Sequence, residues 1–117
     1  MRSSRQRERH ELVEKKKRSE ADQRQQQRAI RDAIQNIITS LGETENSSKN
    51  AITRAVNLLG TQRPLALLQD VEQVEAQGGM LVADGSRRRT PGGVYLFLLK
   101  QHLNEAGEKD LAKKIFK

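Results

Sequence analysis

Aliphatic residues recur at three- and four-residue intervals along this chain after residue 29, a spacing that commits it to helices sharing one core. Ile30, Ala33, Ile34, Ile37, Ile38 and Leu41 form the first stripe, with Gly42 as its stop. A polar segment, ETENSS at 43–48, follows, and Ser47 or Ser48 is placed to cap the next helix. There Ile52, Ala55, Val56 and Leu59 make a second stripe that ends at Gly60. Thr61 is placed to cap a third helix, with Pro64 tolerated in its first turn. Leu67, Leu68, Val71 and Val74 are its inner face, and Gly78-Gly79 closes it. The only aromatics are Tyr95, Phe97 and Phe116, so Leu, Ile, Val and Ala must fill most of the core. A length of 117 residues suits one modest core.

The pattern breaks between residues 80 and 90, where Met80, Leu81 and Val82 read as briefly extended and Asp84-Gly85 as a turn. Three arginines follow, and Thr90-Pro91 then reads as a helix start, with Thr as N-cap and Pro at the first helical position. The run VYLFLL, 94–99, is apolar all round, as expected of a helix buried on most sides. A last helix runs from about Asn104 or Glu108 to Phe116, with Leu111, Ala112, Ile115 and Phe116 inward. The expected fold is all-α: a compact bundle of about five helices with one irregular basic loop.

Residues 1–28 have little to bury beyond Leu12 and Val13. They are rich in helix formers, and Glu11–Lys15, Glu14–Arg18 and Glu20–Arg24 have the favourable i, i+4 order. The expectation is a charged arm or solvated helix at 1–28, serving as an electrostatic tether or a solubilising extension, ahead of a helical domain at 29–117. Charge is segregated: residues 1–28 hold ten Lys/Arg against five Asp/Glu, and residues 86–117 eight against three, while residues 29–85 hold four against seven. Two basic ends around an acidic middle create a directional field and favour a polyanionic partner. With no cysteine, disulfides and thiolate metal sites are excluded. No apolar run approaches the roughly 20 residues of a membrane span. The basic start lacks the apolar stretch of a secretory signal, and Glu8, Glu11, Glu14 and Glu20 argue against a transit peptide. An intracellular protein is expected, cytoplasmic in an organism without a nucleus, otherwise nuclear and cytoplasmic. His10 and His102 stand alone, without a metal cluster or a nucleophile–base constellation, so neither an enzyme nor a cofactor is expected.

The chemistry concentrates in SRRRTPGG, 86–93. Arg87, Arg88 and Arg89 bring fork-shaped guanidinium groups suited to phosphate oxygens. They precede a helix N-terminus, whose free amides and positive dipole end also favour an anion. Gly92 and Gly93 occupy its first turn, where glycine costs stability unless something must approach the backbone or a neighbouring helix must pack tightly. The absence of a Gly-Lys-Ser/Thr signature speaks against nucleotide hydrolysis.

The segment GSRRRTPGGVYLFLLK, 85–100, strongly resembles the RNA-binding domain of the phosphorylated adaptor for RNA export family. The resemblance extends over about residues 47–103, taking in the helix around Ala66–Ala76, Gly78-Gly79-Met80 and Asp84-Gly85-Ser86. It implies an all-helical domain that binds single-stranded RNA with little sequence preference, and ribonucleoproteins as further partners. In that family the larger adaptor bridges capped small nuclear RNA to the export machinery. Its acidic and phosphorylated regions have no counterpart here, so a stand-alone RNA binder is expected.

Arg87, Arg88, Arg89, Thr90, Gly92 and Gly93 match the family motif directly. Tyr95 stands where the family tends to have an aromatic, either stacking on a base or, the favoured reading, packing in the core with its hydroxyl at the surface. Phe97 stands where a polar residue is expected and is assigned no RNA role. Lys100 joins the expected RNA-binding set, and Lys109, Lys113 and Lys114 either extend the phosphate track or serve the helix dipole. The alternatives are a helix-turn-helix DNA binder over 51–77, opposed by Asp70, Glu72 and Glu75 on its second helix, and a helical protein-interaction module using 1–41.

Overall fold

A computed structural model describes the backbone of residues 4–117 and the side chains from residue 19 onward. His10 and the pairs Glu11–Lys15 and Glu14–Arg18 lie outside the described side chains. Five helices run in the order α1 (Ser4–Leu41), α2 (Asn46–Leu59), α3 (Gln62–Ala76), α4 (Pro91–Glu105) and α5 (Lys109–Ile115). With no strand among the described residues, the fold is the all-α bundle that the spacing predicts.

The first helix is one continuous element of 38 residues, so the charged arm and the first apolar stripe are not separate structures. Residues 19–29 are exposed, and the helix meets the core only from Ile30. From there Ala33, Ile37 and Leu41 pack inward against Ile52, Ala55 and Val56 of α2. Leu67, Leu68 and Val71 of α3, and Val94, Tyr95, Leu99 and Leu103 of α4, complete the centre, with Ala112 and Ile115 of α5 closing it from below. Among the described residues no charged side chain is buried. Burying each Val, Leu or Ile side chain contributes roughly 1.5–3 kcal/mol, which is why the chain can hold five helices with so few aromatics.

Two expected caps differ. Helix α2 begins at Asn46, ahead of Ser47 and Ser48, with Glu45 in the N-cap position and no side-chain cap bond. In that turn the Glu43 carboxylate does the satisfying, its Oε1 accepting the Thr44 and Glu45 amides at 3.0 Å. Thr61 does precede α3, but its hydroxyl makes no cap bond. Gly60 ends α2 as expected, at φ +87°. Helix α4 is also less enclosed than its apolar run suggests: Val94, Tyr95 and Leu99 are buried, while Phe97 is 42% exposed.

Candidate nucleic-acid interface

The break between α3 and α4 folds into a miniature hairpin. Arg89 N–H donates to the Met80 carbonyl at 2.6 Å and Val82 N–H to the Arg87 carbonyl at 2.9 Å, around a single antiparallel bridge, Leu81 to Arg88. At its tip Asp84 Oδ1 accepts from the Ser86 amide at 3.0 Å and hydroxyl at 2.7 Å. Those Ser86 bonds hold the Asp84 carboxyl below its ordinary range. The sequence Asp-Gly-Ser therefore acts as the turn that its chemistry predicts.

Arg88 fastens this hairpin to α3. Its side chain crosses the backbone at Gly79, where a β-carbon would overlap Arg88 Nε, and ends in an ion pair with Glu75. Gly79 sits at φ +86°, a conformation that glycine adopts freely. Arg88 is thus already paired with an internal carboxylate, a correction to the expectation of three equivalent phosphate-binding arginines.

The start of α4 is also occupied from within. Thr90 is the N-cap, its Oγ1 accepting the Gly93 amide at 3.1 Å, and Pro91 follows as the first helical residue. Gly92 is buried, and a β-carbon there would overlap Glu43 Oε2. What approaches the backbone at Gly92 is a carboxylate of this chain. The expected cradle of free amides is therefore corrected: the Gly93 amide is capped and Gly92 is covered, leaving the side chains to meet a ligand.

Gly93 behaves differently, because it shares a face of α4 with Phe97, Lys100 and Asn104, at successive steps of four, three and four residues. Only Thr90 and Arg89 atoms would lie within 4 Å of a side chain at Gly93. Over this face lies Arg89, its Nε–H donating to the Leu81 carbonyl at 3.0 Å and its guanidinium 4.8 Å from the centroid of the Phe97 ring. That is a cation–π pair with an exposed aromatic. Arg87 and Lys100 are exposed, and Leu81, whose carbonyl Arg89 holds, is 60% exposed.

Tyr95 belongs elsewhere. It has no exposed surface, and its hydroxyl donates to the Pro64 carbonyl at 2.9 Å. Burial pushes its phenol well above the ordinary range. The base-stacking role is overturned on steric grounds, and the core reading holds, except that the hydroxyl is buried too. Phe97, assigned no role from the sequence, is the aromatic available on this surface. A helical projection of α4 carries the missed signal, since Phe97 lies opposite Tyr95, Leu99 and Leu103.

Among the described residues no group of three His, Cys, Asp or Glu could hold a metal, and no helix is long and apolar enough to cross a membrane. His102 faces Arg63, whose Nη2 lies 3.1 Å from its Nε2, while the same guanidinium pairs with Glu108.

A helical body that exposes arginines and an aromatic on one surface has the chemistry of a nucleic-acid-binding module, and sequence comparison names the family. The model of the family described as "Phosphorylated adapter RNA export protein, RNA-binding domain" matches residues 33–117, and the chain belongs to that family. It is therefore an RNA-binding domain and not an enzyme. It is 42% identical over 69 residues to the phosphorylated adapter RNA export protein of Rattus norvegicus, covering 57% of this chain and 18% of that protein. The Homo sapiens protein is 41% identical over the same length and coverage. The Gallus gallus protein is 48% identical over 52 residues, 44% of this chain and 13% of its own. The chain thus spans less than a fifth of these relatives. Among solved structures, a "novel RNA-binding domain in Cryptosporidium parvum" superposes with a TM-score of 0.61 at 34% identity, covering 73% of this chain and 93% of that one.

Proposed function

We propose that this domain binds single-stranded RNA with little sequence preference, through the hairpin at 80–89 and the exposed face of α4. The observation that carries the reading is Arg89 laid against the exposed Phe97 ring. A guanidinium over a part-exposed aromatic ring offers one phosphate contact and one stacking surface, the two elements single-strand binders combine. Neither reads a base edge, so sequence preference is weak. Arg87 and Lys100 add phosphate contacts, Gly93 keeps the face low, and Thr90 orders the turn between them. Arg88 and Gly92 position rather than touch. A duplex buries its bases and cannot use Phe97. Residues 1–28 act in this reading as a charged arm to the body at 29–117, and the RNA is met free or within a ribonucleoprotein. The relatives are named for RNA export, and the RNA is the part of that name which this domain's surface chemistry supports.

The test is the salt dependence of binding to a single-stranded oligoribonucleotide. With Arg87 and Arg89 both replaced by Ala, the log–log slope flattens by about 1.4, at roughly 0.7 per phosphate contact. An unaltered slope, or a duplex outcompeting the single strand, overturns the proposal.

A further inference from the structure

The face of α4 that bears Phe97 does not end there. One turn on it carries Lys100 and then Asn104, and α5 brings Lys109 and Lys113 alongside. Together with Ala112 and Phe116 they line a cleft of about 270 Å³. Its floor is apolar, its rim holds three ammonium groups and one amide, and no carboxylate lines it.

The flank of α4 that borders α3 has the reverse character. The groove there, about 350 Å³, is bordered by Asp70 and Glu105 with Gln73, Gln77 and Gln101, and no Lys or Arg lines it. A polyanion leaving the Arg89–Phe97 pair is repelled by one side of the helix and drawn along the other. At 1.5 Å rise per residue, Phe97 and Asn104 are only about 10 Å apart along the helix axis. One flexible strand therefore reaches both.

We propose that this cleft is a second RNA subsite, taking the next part of the strand after the base stacked on Phe97. The inference rests on the single-strand reading above. A base enters against Ala112 and Phe116, with Asn104 at its edge, and the flanking phosphates sit on Lys100, Lys109 and Lys113. An acidic peptide would satisfy the lysines alone, whereas a cleft that is lined by Phe116 and lies on the α4 face bearing Phe97 suits a chain that alternates flat apolar rings with charge.

Two single-stranded oligoribonucleotides, of about four and about ten nucleotides, separate the subsites, given that single-strand modules occupy roughly 4–16 nucleotides. Both are titrated against the full chain and its Lys109→Gln/Lys113→Gln variant over a range of salt. The wild type is expected to bind the longer strand more tightly and with a steeper slope. The variant should bind the short strand unchanged and lose about 1.4 units of slope on the long one, for two phosphates at roughly 0.7 each. The Lys109→Arg/Lys113→Arg variant should restore the difference. Equal binding of the long strand by wild type and Gln variant overturns the second subsite while leaving the first intact. Failure of the wild type to bind either strand removes the single-strand reading and this one with it. Competition by an oligoglutamate of equal charge as effective as the long RNA also overturns it, since charge alone would then explain the lysines.

Discussion

Two aromatic residues within one turn of the same helix have opposite fates, and their substitution separates folding from binding. Tyr95 donates its hydroxyl to Pro64 in the core, so Tyr95→Phe is expected to lower stability by about 1 kcal/mol. RNA affinity should stay at the wild-type value. Phe97 is 42% exposed, so Phe97→Ala should barely move the urea midpoint. Stacking on a base is worth about 1–3 kcal/mol per aromatic, and that much affinity should be lost. Urea unfolding followed by circular dichroism, with fluorescence anisotropy of labelled RNA, reads both. Phe97→Ala that keeps the wild-type RNA affinity would remove the stacking role from Phe97.

At the scale of elements, the hairpin presents Arg87 and Arg89 because Arg88 is spent holding it. The crossing at Gly79 makes that attachment testable. A side chain there must adopt φ near +86° and displace Arg88 from Glu75. The backbone term alone costs about 1–2 kcal/mol. Gly79→Ala is expected to lose at least that much stability and to speed hydrogen exchange at the Val82 and Arg89 amides, which close the hairpin. Exchange as slow as in the wild type would mean that Arg88 does not anchor the loop.

Across the whole molecule, the Arg63–Glu108 ion pair ties the start of α3 to the turn before α5, and with it the lysines that α5 carries. Arg63 holds the Glu108 carboxyl below the ordinary carboxylate range, chiefly by hydrogen bonding. A group depressed in the folded state stabilises above its unfolded pKa, near 4.3 for Glu, and loses that contribution as pH falls through the folded value. Unfolding midpoints at neutral pH should therefore favour the wild type over Glu108→Gln. The gap should narrow as the pH falls below about 4. A gap that persists unchanged at pH 3 would show that Glu108 stabilises through packing rather than charge.

Helical class, the aliphatic core, the Asp84–Ser86 turn and the Thr90-Pro91 helix start were all readable from the sequence, because each depends on neighbours within about one helical turn. The segregation of charge was readable too. What lay beyond reach were contacts between residues far apart in the chain. Nothing local says that Glu43 will lie on Gly92, that Glu75 will claim Arg88, or that Tyr95 will spend its hydroxyl on Pro64. Composition supplied three arginines in a row; only the packing of α1, α3 and α4 decided which were already bound within the molecule. A guanidinium is available to RNA only where the fold has not matched it with a carboxylate of its own, and that match is made in three dimensions.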